Sequence, residues 1–377
     1  VGEALAGMTV EQKAAQLLVA GIEGTEPGED AVQAVQGYQV GGVILFGRNV
    51  ESAEQLAALT NGLKELNGDY TPLFLCVDQE GGRVDRMPPE VSRTPSAWSV
   101  GQTLDTEGVG VSYGELLAAE CAAFGFNMDF APSLDIWSNP DNTVIGDRAF
   151  GNDWEWTAFF GMSAVEGMEK QGTVIPVVKH FPGHGDTAVD SHTALPVVDK
   201  TLEDLWQSEL VPFDMVLSGQ FWGEPVMEPT PAVMVAHILL SQIDPDNPAS
   251  LSPEVVTGLL REEMGYEGVV CTDDLTMGAI SNTYGMGEAA VLAVEAGCDL
   301  LLVCHGADNL AEAHAALVEA VDSGCIPEER LDESVYRVLS LKTVYGLSNA
   351  PVEAPDIEAL NDRIAALERS IEADTSQ

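Results

Sequence analysis

The sequence predicts a (β/α)8 barrel of the TIM type, and three observations predict it. Eight short, nearly continuous apolar runs recur along the chain. Such runs are typical of strands buried on both faces, as in parallel sheets. Helical patterns alternate with them, which indicates strand–helix units. Polar and titratable clusters follow the runs, at the rim where barrel active sites lie. An open doubly wound sheet is the alternative, but no GxGxxG or GxxxxGK[ST] motif supports a nucleotide site.

The order of the predicted elements follows the barrel repeat. The predicted strands are residues 17–21, 41–46, 73–77, 127–131, 174–178, 232–236, 268–271 and 299–304. The predicted helices are a short one opened by a capping box at Thr9-Val10-Glu11-Gln12, then residues 52–66, 114–124, 154–171, 204–217, 253–264, 287–296, 310–321 and 328–344.

Two stretches depart from this repeat. Residues 218–231 are long for a helix-to-strand link, and we interpret them as a structural insertion on the bottom of the barrel. The tail after Leu347 carries apolar residues at helical spacing: Ile357, Leu360, Ile364, Leu367 and Ile371. We expect this helix to pack on its own barrel, with a dimeric coiled coil as the alternative, and the protein to be a monomer. The domains are then a barrel of residues 1–347 and a tail of residues 348–377, with no second globular domain.

Composition excludes some partners. The 377 residues contain 16 Lys plus Arg against 61 Asp plus Glu, a net charge of −45. Nucleic acid binding needs a basic face and is therefore excluded. A solvated acidic surface explains the charge, and a saline habitat is a possible cause. No apolar stretch reaches the ~18 residues of a membrane helix. The six cysteines contain no CxxC pair, and we expect buried free thiols.

A dense set of titratable groups follows the fifth predicted strand. Lys179, His180, His184, Asp190 and His192 fall within fourteen positions, and loops on rigid scaffolds often carry function. His180 and His184 have the spacing of a metal pair on a helix. Proline and glycine between them disfavour that helix, so we expect no metal site.

Three titratable groups suit acid–base and nucleophilic catalysis: His192, Asp190 and the distant Asp273. A histidine titrates near neutral pH and can act as general acid and base, and Asp190 can orient His192. An isolated D-x-H is common, so spacing alone does not decide the matter. Asp273, at a strand end, is either a nucleophile or a helix N-cap beside Asp274.

Several motifs together resemble glycoside hydrolase family 3, in particular its single-barrel bacterial β-N-acetylglucosaminidase (β-N-acetylhexosaminidase) branch. The resemblance covers nearly the whole chain. Its most specific part is KHFPGHGDT from Lys179 followed by D-S-H at Asp190-Ser191-His192. Other matching pieces are DQEGGRV from Asp78, FAP from Phe130, IGDRAFG from Ile145, MVAH from Met234 and TDDL from Thr272.

The resemblance implies a role for each matching residue. Asp273 is the implied nucleophile and Asp274 the cap candidate, while His192 is the implied acid/base with Asp190 as its partner. The implied sugar-binding residues are Asp78, Arg86, Arg148, Lys179 and His180. His237 and Asp147 are expected to support them, and Arg83 is given no role.

The implied activity is a retaining exo-hydrolysis of terminal β-linked N-acetylglucosamine from cell-wall muropeptide or chitin-type oligosaccharides, without a cofactor. A family phosphorylase is the first alternative, because a histidine acid/base leaves room for phosphate. A β-glucosidase and a catalytically silent glycan-binding barrel are the others. The resemblance points to a bacterial source, and the start at Val1 slightly favours export over the cytoplasm. The compartment stays open.

Overall fold

A closed barrel of parallel strands forms the centre of the computed structural model, which describes residues 1–105, 108–187, 191 and 195–375. The strands are β1 Leu18–Gly21, β2 Gly42–Ile44, β3 Phe74–Val77, β4 Met128–Asp129, β5 Ile175–Phe181, β6 Ala232–Val235, β7 Val269–Asp274 and β8 Leu300–Val303. Each strand pairs with its neighbours in sequence, and β8 pairs with β1 to close the ring. The predicted (β/α)8 barrel is confirmed, and the open-sheet alternative is excluded.

Helices surround the barrel. The α-helices span Gly2–Ala6, Val10–Gln16, Glu29–Val32, Ala53–Asn67, Ala97–Gly101, Val109–Ala123, Trp154–Gln171, Leu202–Leu205, Leu210–Ser218, Gly278–Ser281, Met286–Ala296, Ala307–Asp322, Glu328–Val344 and Ile357–Thr375. Gln33–Tyr38 and Glu254–Glu263 wind as π-helices, and Gly47–Asn49, Gly146–Arg148 and Ala249–Leu251 as 3₁₀ turns. The capping box at Thr9 is present, with Gln12 as its second member.

Two strands run further than the apolar pattern predicts. β5 continues through Lys179 and His180 to Phe181, and β7 continues to Asp274. Charged residues are rare inside buried strands unless they are paired. Here they find partners at the mouth of the barrel, so the strands extend into the site.

The barrel interior is packed by alternate strand residues. Inward-facing side chains include Val19, Ile44, Phe74, Met128, Val177 and Leu302. Helix Glu328–Val344 closes the bottom, where Lys342 Nζ donates to Gln16 Oε1 at 2.9 Å and to the Gly41 carbonyl at 2.8 Å. Burial lowers the pKa of Lys342 to about 7. The interior is therefore a filled core, and ligands have access from the opposite end.

Three predicted helices differ from the structure. The predicted 204–217 helix is two helices, because Pro212 suits the first turn of Leu210–Ser218 but not a helix interior. The predicted 114–124 helix begins earlier, at Val109. Gly114 therefore lies inside the helix, where it allows close packing, because a Cβ there would lie 1.9 Å from the Ala164 carbonyl oxygen. The 253–264 helix is π-helical.

The insertion at residues 218–231 forms a hairpin of Gln220–Phe221 and Glu224–Pro225. It starts where helix Leu210–Ser218 ends, at the bottom of the barrel, as expected. The tip of the hairpin lies away from the bottom of the barrel. The Trp222 ring contacts that of Trp154 at 5.6 Å, and Trp154 is the first residue of its helix. The hairpin therefore reaches back along the outside of the helical layer.

The tail helix Ile357–Thr375 packs on the barrel's own helices. Leu360, Ile364 and Leu367 are buried. Asn361 accepts a hydrogen bond from the Ser92 amide at 2.7 Å and donates to the Glu90 carbonyl at 3.0 Å. Both contacts are with the chain segment that follows β3.

Five cysteines are buried as free thiols, and Cys325 is an exposed free thiol. Among the residues described, no helix has the length and apolar character needed to cross a membrane.

Candidate active site

A cavity of about 240 Å³ opens at the carboxyl ends of the strands. Every predicted site residue that the structure describes lines it: Asp78, Arg86, Arg148, Lys179, His180 and Asp273. These residues come from segments far apart in the sequence, so the barrel brings them together. The predicted acid/base His192 and its partner Asp190 lie outside the described residues, although Ser191 between them lines the cavity.

Lys179 is the buried cation of one cavity wall. Its Nζ lies 2.6 Å from Asp78 Oδ1 and 2.6 Å from Glu80 Oε1. Burial disfavours an ammonium, but the two carboxylates outweigh that cost and raise the pKa of Lys179. The lysine stays charged, and both acids are held at the end of β3.

Glu80 also binds Arg148 through a bidentate pair. Arg148 Nε donates to Glu80 Oε2 and Arg148 Nη2 donates to Glu80 Oε1, both at 2.8 Å. Although burial opposes ionisation, Arg148 and Lys179 hold the pKa of Glu80 far below its ordinary value. Glu80 thus fixes two of the predicted sugar-binding cations at once.

His180 is held in one tautomer. Arg148 Nη2 lies 3.2 Å from His180 Nε2, and a guanidinium can only donate, so Nε2 accepts. The proton is then on Nδ1, which donates to Asp135 Oδ2 at 2.6 Å. Burial would raise the pKa of Asp135, but His180 and the His184 amide lower it to about 2. Asp135 is therefore an anion that orients the ring.

His184 braces the loop and meets the His180 ring edge to face, with 6.0 Å between the ring centroids. Its backbone N–H donates to Asp135 Oδ1 at 2.6 Å. Its Nδ1 lies 2.7 Å from Thr187 Oγ1 and its Nε2 lies 3.3 Å from Ser191 Oγ. Burial lowers the pKa of His184. A neutral imidazole thus ties the start of the loop to Ser191, the residue between Asp190 and His192.

Asp273 lies near the end of β7, partly buried in the cavity. Its Oδ1 accepts a hydrogen bond from the Asp274 amide at 2.8 Å. Burial would raise the pKa of Asp273, but His237, His180, that amide and Lys179 together lower it. The carboxylate is ionised near neutral pH, which is the state a nucleophile needs.

The residues around Asp273 fix the strand end. His237 Nε2 donates to the Asp274 carbonyl at 2.9 Å, and its Nδ1 lies 2.7 Å from Ser250 Oγ. Asp274 was expected to cap a helix, and this is wrong. Its Oδ1 accepts from the Thr276 amide at 2.9 Å and from the Cys304 amide at 3.1 Å, so it ties β7 to the end of β8.

Two arginines shape the loop side of the cavity. Arg83 donates to the carbonyls of residues 143, 144 and 145 and pairs with Asp147 at 3.0 Å. It thereby fastens the loop that presents Arg148, a role the sequence did not indicate. Arg86 Nε is buried and has no hydrogen-bond partner among the described residues. Arg86 lines the cavity, as predicted for a sugar-binding residue.

Sequence reasoning missed Glu80 and Asp135. Glu80 belongs to the same motif as Asp78 and follows the same strand, so the cluster at a strand end was the available signal. Asp135 had a weaker signal, because its partner His180 is 45 positions away.

The family comparison is consistent with this geometry. Residues 9–341 match the Glycosyl hydrolase family 3 N terminal domain. Beta-hexosaminidase A of Pseudoalteromonas piscicida is 33% identical over 341 residues, which cover 84% of this chain and 56% of that protein. This chain therefore spans little more than half of that relative. A beta-hexosaminidase of Methylococcus capsulatus is 37% identical over 285 residues, which cover 75% of this chain and 80% of that protein.

A solved structure gives the same result. The glycoside hydrolase family 3 beta-N-acetylglucosaminidase from Paenibacillus sp. str. FPU-7 superposes with a TM-score of 0.89 and 41% sequence identity. The match covers 96% of this chain and 68% of that chain.

Proposed function

Because this chain belongs to glycosyl hydrolase family 3, we propose that it hydrolyses terminal, non-reducing β-linked N-acetylglucosamine from chitin-type or muropeptide oligosaccharides. The observation that carries the proposal is one cavity that combines an ionised Asp273 with Lys179, Arg148, Arg86 and Asp78. The relatives named above are beta-hexosaminidases and a beta-N-acetylglucosaminidase, which supports the choice of sugar.

The size of the cavity supports release of one terminal sugar. Its volume of about 240 Å³ is below the ~300–1,000 Å³ of typical ligand pockets. The charged wall of Asp78, Lys179 and Arg148 suits the hydroxyls at the non-reducing end, because charged groups make the stronger hydrogen bonds. A chain that continued beyond this wall would meet the buried ion pairs.

The reaction proceeds in two steps. In the first, Asp273 attacks the anomeric carbon, a bond forms between its carboxylate oxygen and that carbon, and the glycosidic bond breaks. His192 gives its proton to the departing oxygen. In the second, His192 takes a proton from water, which attacks the anomeric carbon and releases Asp273. The β-configuration is retained, and no cofactor takes part.

The ionic network supplies fixed groups for these steps. Asp135 keeps His180 in one tautomer. Glu80 keeps Lys179 and Arg148 in place, and both cations stay charged. Groups fixed before the substrate arrives cost no reorganisation during reaction. His184, bonded to Ser191, fixes the stem of the loop that carries His192.

The domain arrangement is part of the proposal. Residues 1–347 form the catalytic barrel, and residues 348–377 are a tail that stabilises it. We also propose that this unit acts as a monomer.

The test is turnover of p-nitrophenyl β-N-acetylglucosaminide beside the matching β-glucoside, in low and high salt. We expect release from the N-acetyl substrate alone, with the β-anomer as the first product by proton NMR. Release from the glucoside alone would overturn the sugar assignment. If added phosphate yields a sugar phosphate, the enzyme is a phosphorylase and not a hydrolase. No turnover of either substrate would support a binding protein.

A further inference from the structure

An aromatic pair lies on the rim of the cavity. Phe46 follows β2 and His305 follows β8, and their ring centroids are 5.7 Å apart with an interplanar angle of 23°. Both residues line the cavity. The His305 side chain is 55% exposed, so its ring can contact the part of a bound ligand that extends out of the cavity.

Arg48 holds this pair in place. Its guanidinium lies 4.7 Å from the centroid of the Phe46 ring. The same guanidinium donates from Nη2 to the Cys304 carbonyl at 2.9 Å and from Nε to the Ile22 carbonyl at 3.2 Å. Since Cys304 directly precedes His305, one arginine connects both sides of the stack. The rings are preorganised, and little rotamer entropy is lost when a ligand binds.

A substrate held by the charged wall would extend its leaving group towards this pair. The charged wall is built by the end of β3, the loop after β4 and the end of β5, while Asp273 lies on β7, next to β8. In a pyranose the anomeric carbon is across the ring from C4. A sugar whose non-reducing end is bound at Lys179 therefore directs its anomeric carbon towards β7. The aglycone then continues over the rim that holds Phe46 and His305.

Charge decides which aglycone fits. Asp274 Oδ2 lies 3.8 Å from His305 Nε2, and the exposed Glu23 lies 3.3 Å from Arg48. The chain as a whole carries −45. Glu23 offsets the charge of Arg48, so Asp274 leaves this rim with a net negative charge that repels an acidic aglycone, whereas the C–H face of a neutral sugar can stack on an aromatic ring.

We propose that the Phe46–His305 pair is the binding platform for the aglycone, and that this aglycone is a neutral sugar. The proposal rests on the proposed function and narrows its substrate class to chitin-type oligosaccharides. His305 provides the exposed ring, and Phe46 with Arg48 fixes its orientation.

The test compares two substrates that differ only in the leaving group. N,N′-diacetylchitobiose places a sugar on the platform, whereas N-acetyl-β-glucosaminyl fluoride places a single atom there. His305→Ala should lower kcat/KM for the disaccharide about fivefold to tenfold more than for the fluoride, the range expected from loss of one ring stack. His305→Phe, which keeps a ring, should restore most of the loss.

Phe46→Leu gives a second test that does not depend on His305. It should shift the ratio of the two substrates in the same direction. Equal losses on both substrates would overturn the proposal, because the pair would then serve the sugar inside the cavity or the fold. A variant that loses activity on neither substrate would overturn it too.

A disaccharide of N-acetylglucosamine β-1,4-linked to N-acetylmuramic acid tests the charge argument. The wild-type protein should cleave it with a lower kcat/KM than chitobiose, and high salt should narrow the difference. A higher kcat/KM for the acidic disaccharide would overturn the neutral-aglycone assignment. Turnover of the fluoride without turnover of chitobiose would overturn the platform, while silence on every substrate would remove the proposed function itself.

Discussion

Asp135 Oδ2 lies 2.6 Å from Nδ1 of His180, and this contact determines which ring nitrogen faces Arg148. Asp135 is fully buried and also accepts hydrogen bonds from the His184 amide and from Ser133 Oγ. A carboxylate can accept all of these bonds at once, whereas an amide cannot. The stability of the site therefore depends on the charge of a residue that does not line the cavity.

Asp135→Asn should lower the free energy of unfolding by about 2 kcal/mol at pH 7. The pKa of Asp135 is about 2 in the folded chain and 3.8 ordinarily. Its stabilisation is thus complete above pH 3.8 and is lost as pH falls towards 2. Urea denaturation of wild type and variant between pH 7 and pH 2 should show the difference shrinking in that window.

Asp69→Asn is the control, since Asp69 is exposed on a loop. It should change the free energy of unfolding at pH 7 by less than about 0.5 kcal/mol. A difference between Asp135→Asn and wild type that stays constant down to pH 2 would contradict the assignment.

Glu80→Gln should destabilise the chain by about 3 kcal/mol, because it leaves Lys179 and Arg148 buried beside a neutral group. Activity on p-nitrophenyl β-N-acetylglucosaminide should fall with it, as the two cations lose their common anchor. The matched control is Glu166→Gln, which removes the exposed partner of Lys170. Thermal denaturation should show that the free energy of unfolding of this variant changes by less than about 1 kcal/mol. Comparable changes in the two variants would refute the role of Glu80.

Glu120→Gln should stabilise the chain at alkaline pH. Burial raises the pKa of Glu120 to about 8 from 4.5, so its stabilisation is complete below pH 4.5 and falls by about 1.4 kcal/mol per unit up to pH 8. A glutamine does not ionise, and it can accept from Gln79 Nε2 through its oxygen and donate to Thr94 Oγ1 through its amide nitrogen. The melting temperature of the variant relative to wild type should rise between pH 5 and pH 8. A constant or falling difference would show that Glu120 is already ionised.

His192→Ala should separate substrates by their leaving groups. Chitobiose needs a proton on its departing oxygen, whereas p-nitrophenolate leaves without one. The variant should therefore lose far more kcat on chitobiose than on the p-nitrophenyl glycoside. Equal losses on both would remove His192 from the acid role.

The barrel could be predicted because each strand and helix is recognised from the residues within that element. Each buried strand is a short apolar run, and Trp154–Gln171 and Glu328–Val344 have the predicted bounds. Of the site, the resemblance to the family implied Asp78, Arg148, Lys179 and the other predicted sugar-binding residues, and the structure places them at strand ends or in loops that follow one.

The partners of these residues were not predictable, because they depend on tertiary contacts. Glu80 pairs with Arg148 across 68 positions and Asp135 with His180 across 45. The same reason explains the error at Asp274, whose carboxylate binds the Cys304 amide 30 positions away instead of a nearby helix. Nothing in the local sequence distinguishes these pairings from a surface charge or a cap.

The central claim is that Asp273 becomes covalently bound to the sugar. The most direct measurement is mass spectrometry of peptides after incubation with a 5-fluoro derivative of N-acetyl-β-glucosaminyl fluoride, whose glycosyl–enzyme forms faster than it hydrolyses. We expect one added sugar on the peptide that carries Asp273, and none in Asp273→Asn. Consumption of the reagent with no labelled peptide, or a label on another residue, would contradict the account, because the acetamido group or another carboxylate would then be the nucleophile.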